Sequence, residues 1–124
     1  MKKRVLIASA CCAAALAVLL AASIVNRGRI GVIIDNKLAD SIRVVGIQDE
    51  DIDLPVPGNR FARFSYRITR GGAPINLRLR VGEQVIDKEI VDYVERAYRG
   101  EVWVTVSRNA EGDIDLSVKS NVSL

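Results

Sequence analysis

The run Ile75-Asn76-Leu77-Arg78-Leu79-Arg80-Val81-Gly82-Glu83-Gln84-Val85-Ile86-Asp87-Lys88-Glu89-Ile90 decides the fold. Apolar and polar residues alternate through Val81, which is the rhythm of an extended strand with one buried face. Gly82 at the first central position of Val81-Gly82-Glu83-Gln84 suits a two-residue type II′ turn. That turn fixes a register in which Leu79 faces Ile86 and Ile75 faces Ile90, both apolar. On the opposite face the same register sets Arg78 against Asp87 and Asn76 against Glu89. Lys88, opposite Leu77, is the mismatch.

Outward from this hairpin the two-residue period continues. Phe64, Tyr66 and Ile68 share one face of a strand near 61–69, and Gly71-Gly72-Ala73-Pro74 is a suitable link to the strand at 75–81. Setting apolar against apolar pairs Ile68 with Leu77, Tyr66 with Leu79 and Phe64 with Val81. Ile30, Val32 and Ile34 alternate in a first strand, and Asn36 to Asp40 reads as a turn. Ser41 to Gln48 is apolar on both faces, as expected of a central or bulged strand. Asp49 to Asn59 is acidic, then carries Pro55 and Pro57, and reads as loop. Val102, Val104 and Val106 face Ile114, Leu116 and Val118 across a turn at Asn109-Ala110-Glu111-Gly112.

These elements predict an all-β domain, an antiparallel β-sandwich of about seven strands with an immunoglobulin-like architecture as one form. The Cys–Trp–Cys spacing of the immunoglobulin family is absent. The competing α+β reading places a helix at 88–99. There Ile86, Ile90, Tyr93, Val94 and Ala97 form a helical stripe, with Asp87 as a cap and Gly100 as a stop.

The chain's start carries an address. Lys2, Lys3 and Arg4 precede 21 residues, Val5 to Val25, without charge, Gly or Pro. A signal-peptide apolar region spans about 7–15 residues, and a bilayer-spanning helix needs about 20. The sequence therefore predicts a retained single-pass anchor, with the N-terminus cytoplasmic and the following domain in the periplasm or exterior. Eight of the 21 residues are Ala, and Ala21-Ala22-Ser23 could serve a signal peptidase. Cleavage near Ala22, giving a secreted or periplasmic domain, is the alternative. Cys11 lacks the large aliphatic residue three places upstream that lipidation usually wants, since Ala8 is there. Ser9, Ala13, Ala17 and Ala21 form a small-residue stripe, through which helices can pair. The expected organisation is an anchor over 1–25, a linker over 26–29, the β domain over 30–120 and a tail over 121–124.

Charge narrows the function. The formal net charge of the chain is +3. Residues 26–124 hold 15 Lys and Arg, the 18 of the whole chain less Lys2, Lys3 and Arg4, and all 15 Asp and Glu. The domain is thus formally neutral, and bulk charge gives no reason to expect a nucleic-acid partner. Cys11 and Cys12 lie in the apolar run, so the domain can form no internal disulfide. There is no histidine in the chain, and so neither the usual general base near pH 7 nor the commonest metal ligand. A calcium-binding EF-hand loop beginning at Asp49 would need Gly and Glu where Leu54 and Arg60 stand. No Gly-x-Ser-x-Gly, Ser-x-x-Lys or phosphate-cradling Gly-Lys loop occurs. Asn121-Val122-Ser123 matches the glycosylation sequon. The reading is a protein that is not an enzyme, with no metal, no cofactor, and a partner as its means of action.

Two features suggest how it would meet a partner. Arg63, Arg67, Arg78 and Arg80 share the outward face on the register above, in a stretch (54–82) that has no acid. Trp103, the only Trp, points away from the face carrying Val102 and Val104. It is either an interface anchor or covered by Tyr93, Tyr98 or a loop. The first expectation is a membrane-tethered, extracytoplasmic protein-interaction or structural subunit of an envelope complex. The alternative is a ligand module whose arginine face binds anionic lipid head groups or polysaccharide.

Overall fold

The hairpin at 75–90 forms as its turn chemistry requires. In the computed structural model, which describes residues 28–124, Val81 pairs with Gln84, Leu79 with Ile86, Arg78 with Asp87 and Asn76 with Glu89. Gly82 adopts φ +62°, the sign a II′ turn needs at that place. Past Glu89 the pairing slips. A bulge makes Val91, not Ile90, the partner of Ile75, and both Ile90 and Val91 are buried.

Eight strands are present: β1 (Arg29–Asn36), β2 (Ile42–Ile47), β3 (Glu50–Val56), β4 (Phe61–Arg67), β5 (Ala73–Val81), β6 (Gln84–Val94), β7 (Arg99–Arg108) and β8 (Ile114–Ser123). They build two four-stranded sheets, ordered β4-β1-β7-β8 and β3-β2-β5-β6, called here sheet A and sheet B. The all-β sandwich is therefore observed. The helix of the competing reading, at 88–99, is not: 84–94 is strand and 95–98 is turn. Ile86, Ile90 and Val94 recur every four residues, a spacing that also keeps them on one face of a strand, while Tyr93 and Ala97 are exposed. Strands also run from Arg29 to Ser123, taking in residues assigned above to the linker and tail.

Three details differ from the sequence expectation. First, the acidic segment is not a loop but β3, an edge strand in which Ile52, Leu54 and Val56 are more covered than Asp51, Asp53 and Pro55. An edge tolerates proline, because that side of the backbone needs no ladder donor. Second, β4 does not pair with β5. It pairs with β1, Ile30 opposite Tyr66 and Val32 opposite Phe64, so the 68–72 link crosses from one sheet to the other. Third, β1 and β7 are parallel, Ile34 beside Val104, so the sandwich is not wholly antiparallel.

The core lies between the inner faces. Ile30, Val32, Ile34, Tyr66, Val102, Val104 and Val106 from sheet A meet Ile42, Val44, Ile47, Val56, Ile75, Leu77 and Leu79 from sheet B. Each such side chain contributes about 1.5–3 kcal/mol when removed from water. Lys88 does sit opposite Leu77, exposed on the edge strand β6. An inward-pointing charge on an edge discourages pairing with another chain.

The one buried polar side chain among the described core residues is Asn36. Its amide donates to the carbonyl oxygens of Asp40 at 2.9 Å, Val56 at 3.2 Å and Pro57 at 3.2 Å. Its Oδ1 accepts from the Leu38 N–H at 3.0 Å. This residue ties the β1–β2 and β3–β4 connections together.

Candidate contact face

Alternation on β1, β4, β7 and β8 sends every second side chain to the outer surface of sheet A. The strand registers set those side chains in rows across the four strands. One row runs Arg63, Ile33, Trp103, Lys119, and the next Phe61, Asp35, Thr105, Ser117. Trp103 is 48% exposed and Phe61 72% exposed, whereas Ile33, flanked by Arg63 and Trp103, is only 4% exposed. No described loop covers Trp103. It lines a shallow depression of about 340 Å³ with Thr105, Ser117 and Lys119. Tyr93 and Tyr98 pack edge-to-face against each other instead, ring centres 6.4 Å apart.

Toward the start of β1 the same face becomes a groove of about 780 Å³, with Arg29, Arg63, Arg99, Ser65, Asn121 and Glu101 among its walls. Gly31 and Gly100 also line it, and the Arg63 guanidinium and the Glu101 side chain lie over Gly31. Arg63 forms an ion pair with Glu101. Arg67 is the cross-strand partner of Arg29, and the pairing of Ile30 with Gly100 brings Arg99 to the other side of Arg29. Among the described residues, Arg29, Arg67 and Arg99 make no ion pair within 4 Å.

The single arginine face expected from the sequence does not exist. Arg63 and Arg67 lie on sheet A and Arg78 and Arg80 on sheet B, because β4 and β5 belong to different sheets. Arg78 is tied into the fold. Its guanidinium donates to the Gln48 carbonyl oxygen at 2.8 Å, lies 3.7 Å from Asp51, and covers Gly46, where a Cβ would collide with it. That contact supports the β2–β3 turn, in which Gln48 has φ +51°. Arg80 is exposed and paired across the sheet with Arg43, which is bound to Asp53. On sheet B, Arg43 and Arg78 thus have acidic partners, and Arg80 has none within 4 Å among the described residues.

The grouping of Arg29 and Arg99 with Arg63 and Arg67 was not visible in the sequence. It depends on the parallel pairing of β1 with β7, for which no local turn gives a signal. Outside this face, the Tyr93 phenol donates to Glu95, and its pKa is raised by that bond first, then by desolvation and the nearby carboxylate. Among the described residues no group of three or more Cys, Asp or Glu is placed to hold a metal ion. No described helix is long and apolar enough to cross a membrane. The apolar run 5–25, with Ser9, Ala13, Ala17 and Ala21, lies outside the described residues.

No known protein-family model matches the chain, and no curated protein sequence matches it. Among solved structures, the fold is similar to the N-terminal domain of AlgF from P. aeruginosa. The TM-score is 0.46 and the identity 13%, over 75% of this chain and 95% of that one. At that level nothing about action passes from one protein to the other.

Proposed function

We propose that this protein is a membrane-tethered, extracytoplasmic β-sandwich that works by contact, as an interaction subunit of an envelope complex, and not by catalysis. The carrying observation is the half-exposed Trp103 at the middle of the outer face of sheet A, with Ile33 and Arg63 on one side and Lys119 on the other. Trp and Arg are the side chains that most often dominate binding energy at protein interfaces, and they do so near the centre of a contact patch. The basic-apolar N-terminus supplies the tether and the compartment.

A photo-crosslinking residue placed at position 103 of the full chain in cells tests this. It should yield a discrete adduct, while the same residue at position 87, on sheet B, yields none. Matching patterns at both positions would remove the support for a partner on sheet A.

The groove beside Arg29 and Arg99 favours a second reading, recognition of anionic groups. Such binding should weaken steeply with salt and be lost on reversing the charge of Arg29 and Arg99. Contact centred on Trp103 should survive both changes.

A further inference from the structure

Gly28, the first described residue, is clamped by the two connections at its end of the sandwich. Its N–H donates to the Tyr98 carbonyl at 3.0 Å, and its carbonyl accepts from the Ile68 N–H at 2.7 Å. The connections at 68–72 and 95–98 therefore meet where β1 begins. This end carries Arg29, Arg67, Arg70, Arg96 and Arg99, all exposed. Among the described residues none of the five makes an ion pair within 4 Å. The acids here are Glu101, paired with Arg63, Glu95, engaged by Tyr93, Asp92 near the end of β6, and Asp49 and Glu50 in the β2–β3 turn on sheet B. The opposite end is different. Its connections and flanking positions hold Asp40, Glu83, Glu111 and Asp113 against Lys37, Arg60 and Arg108. Among the described residues, five arginines without an ion pair thus stand at the end where β1 begins, against Arg60 and Arg108 at the other.

The polarity has a direction. Between the apolar run ending at Val25 and Arg29 stand only Asn26, Arg27 and Gly28, a reach of about 10 Å. That is comparable to the Debye length of about 8 Å at physiological salt. On the tethered reading the cationic end is the end held nearest the bilayer, about one Debye length from a charged surface, where salt weakens the attraction without abolishing it.

We infer that the arginine end, Arg29, Arg67 and Arg99 with Arg70 and Arg96, seats the domain on anionic lipid head groups of the membrane that tethers it. This rests on the tethered reading above. Guanidinium forks pair with phosphate oxygens in two-pronged geometry, and the groove between Arg29, Arg63 and Arg99 leaves room for a head group. Seating would hold the sheet A face at a fixed height and tilt, so that Trp103, four residues along β7 from Arg99, stands close above the lipid surface.

The test uses the full chain mixed with vesicles of neutral phosphatidylcholine, or of the same lipid with phosphatidylglycerol, each containing a head-group spin label. Flotation reads tethering, and quenching of Trp103, the sole Trp, reads seating. The expected result is flotation with both vesicles, and quenching only with the anionic ones. In R29Q/R67Q/R99Q that quenching should vanish, the seated-to-free ratio falling about fivefold for each arginine removed. R60Q/R108Q, at the far end, should retain it. Flotation without charge-dependent quenching, or a triple variant quenched like the parent, overturns the seating. Failure to float with either vesicle overturns the tether beneath it.

Discussion

Replacing Asn36 should do more damage than replacing any exposed residue of the domain. The side chain is fully buried and holds one acceptor and three donor contacts. An amide has two N–H groups, so its donor contacts amount to about two full bonds, and Oδ1 adds a third. At about 1 kcal/mol net for each, N36A loses about 3 kcal/mol, before the Leu38 N–H and the freed carbonyls are left without partners. Small domains are stable by only about 5–15 kcal/mol. A loss of about 3 kcal/mol would lower the melting temperature by roughly 12–24 °C for a domain near 100 residues.

N36D sharpens the test. The new carboxylate can still accept from Leu38, but its second oxygen faces three carbonyl oxygens with no hydrogen to give. At pH 7 N36D should be less stable than N36A. Protonation restores one donor, so the folded state should bind that proton more tightly than the unfolded chain does. The stability of N36D relative to the parent should therefore rise as pH falls. Urea unfolding of the fragment beginning at Asn26, followed by Trp103 fluorescence, measures both. An N36A variant within about 0.5 kcal/mol of the parent would refute the reasoning, because surface substitutions already span that range. So would N36D matching N36A at neutral pH.

Three further outcomes follow from the same geometry. R78Q should cost about 1–3 kcal/mol, because it leaves the Gln48 carbonyl without its charged donor, whereas R80Q should stay within about 0.5 kcal/mol; thermal melts of the two variants separate a structural arginine from a solvated one. G46A should lose about 1–3 kcal/mol by pushing the Arg78 guanidinium off the β2–β3 turn, and the loss should shrink when R78Q is already present, as a double-mutant cycle would show. One tyrosine, Tyr93, should titrate above the usual value of 10.0, with absorbance near 295 nm as the readout and E95Q returning it toward normal. Because its folded pKa is raised, the stabilising contribution of the Tyr93–Glu95 contact is present below pH 10 and is lost as pH rises through the folded value.

Local signals were faithful at two hairpins. The β5–β6 and β7–β8 hairpins are legible because a turn, an apolar match and a charge match constrain one register, as at Gly82, Leu79–Ile86 and Arg78–Asp87. What local reasoning could not supply is sheet membership. Phe64 and Tyr66 match Leu79 and Val81 in character whether the strands are neighbours in one sheet or face each other across a sandwich. The apolar pattern alone does not distinguish the two arrangements. The arginine face was misplaced for that reason, and half of it belongs to the opposite side of the domain.

β3 was hidden by its acids and prolines, although Ile52, Leu54 and Val56 kept the two-residue period. Asn36 was readable only as a turn residue. Its Oδ1 bond to the Leu38 N–H is the local motif such a residue makes. The Asp40 carbonyl is also local, but the Val56 and Pro57 carbonyls lie 20 and 21 residues away in sequence. The Arg29–Arg67–Arg99 row needs the parallel β1–β7 pairing and so has no local signature.

Single cysteines probed with a membrane-impermeant maleimide in intact spheroplasts test the central proposal most directly, in a parent in which Cys11 and Cys12 are replaced. Positions 43, 80 and 87 on sheet B should label readily before lysis. Positions 61, 103 and 119 on sheet A should label several-fold more slowly in the membrane than in the purified protein. If no position labels until the cells are broken, the domain is not outside the cytoplasm. If both sheets label at the same rate, the outer face of sheet A is not the contact surface.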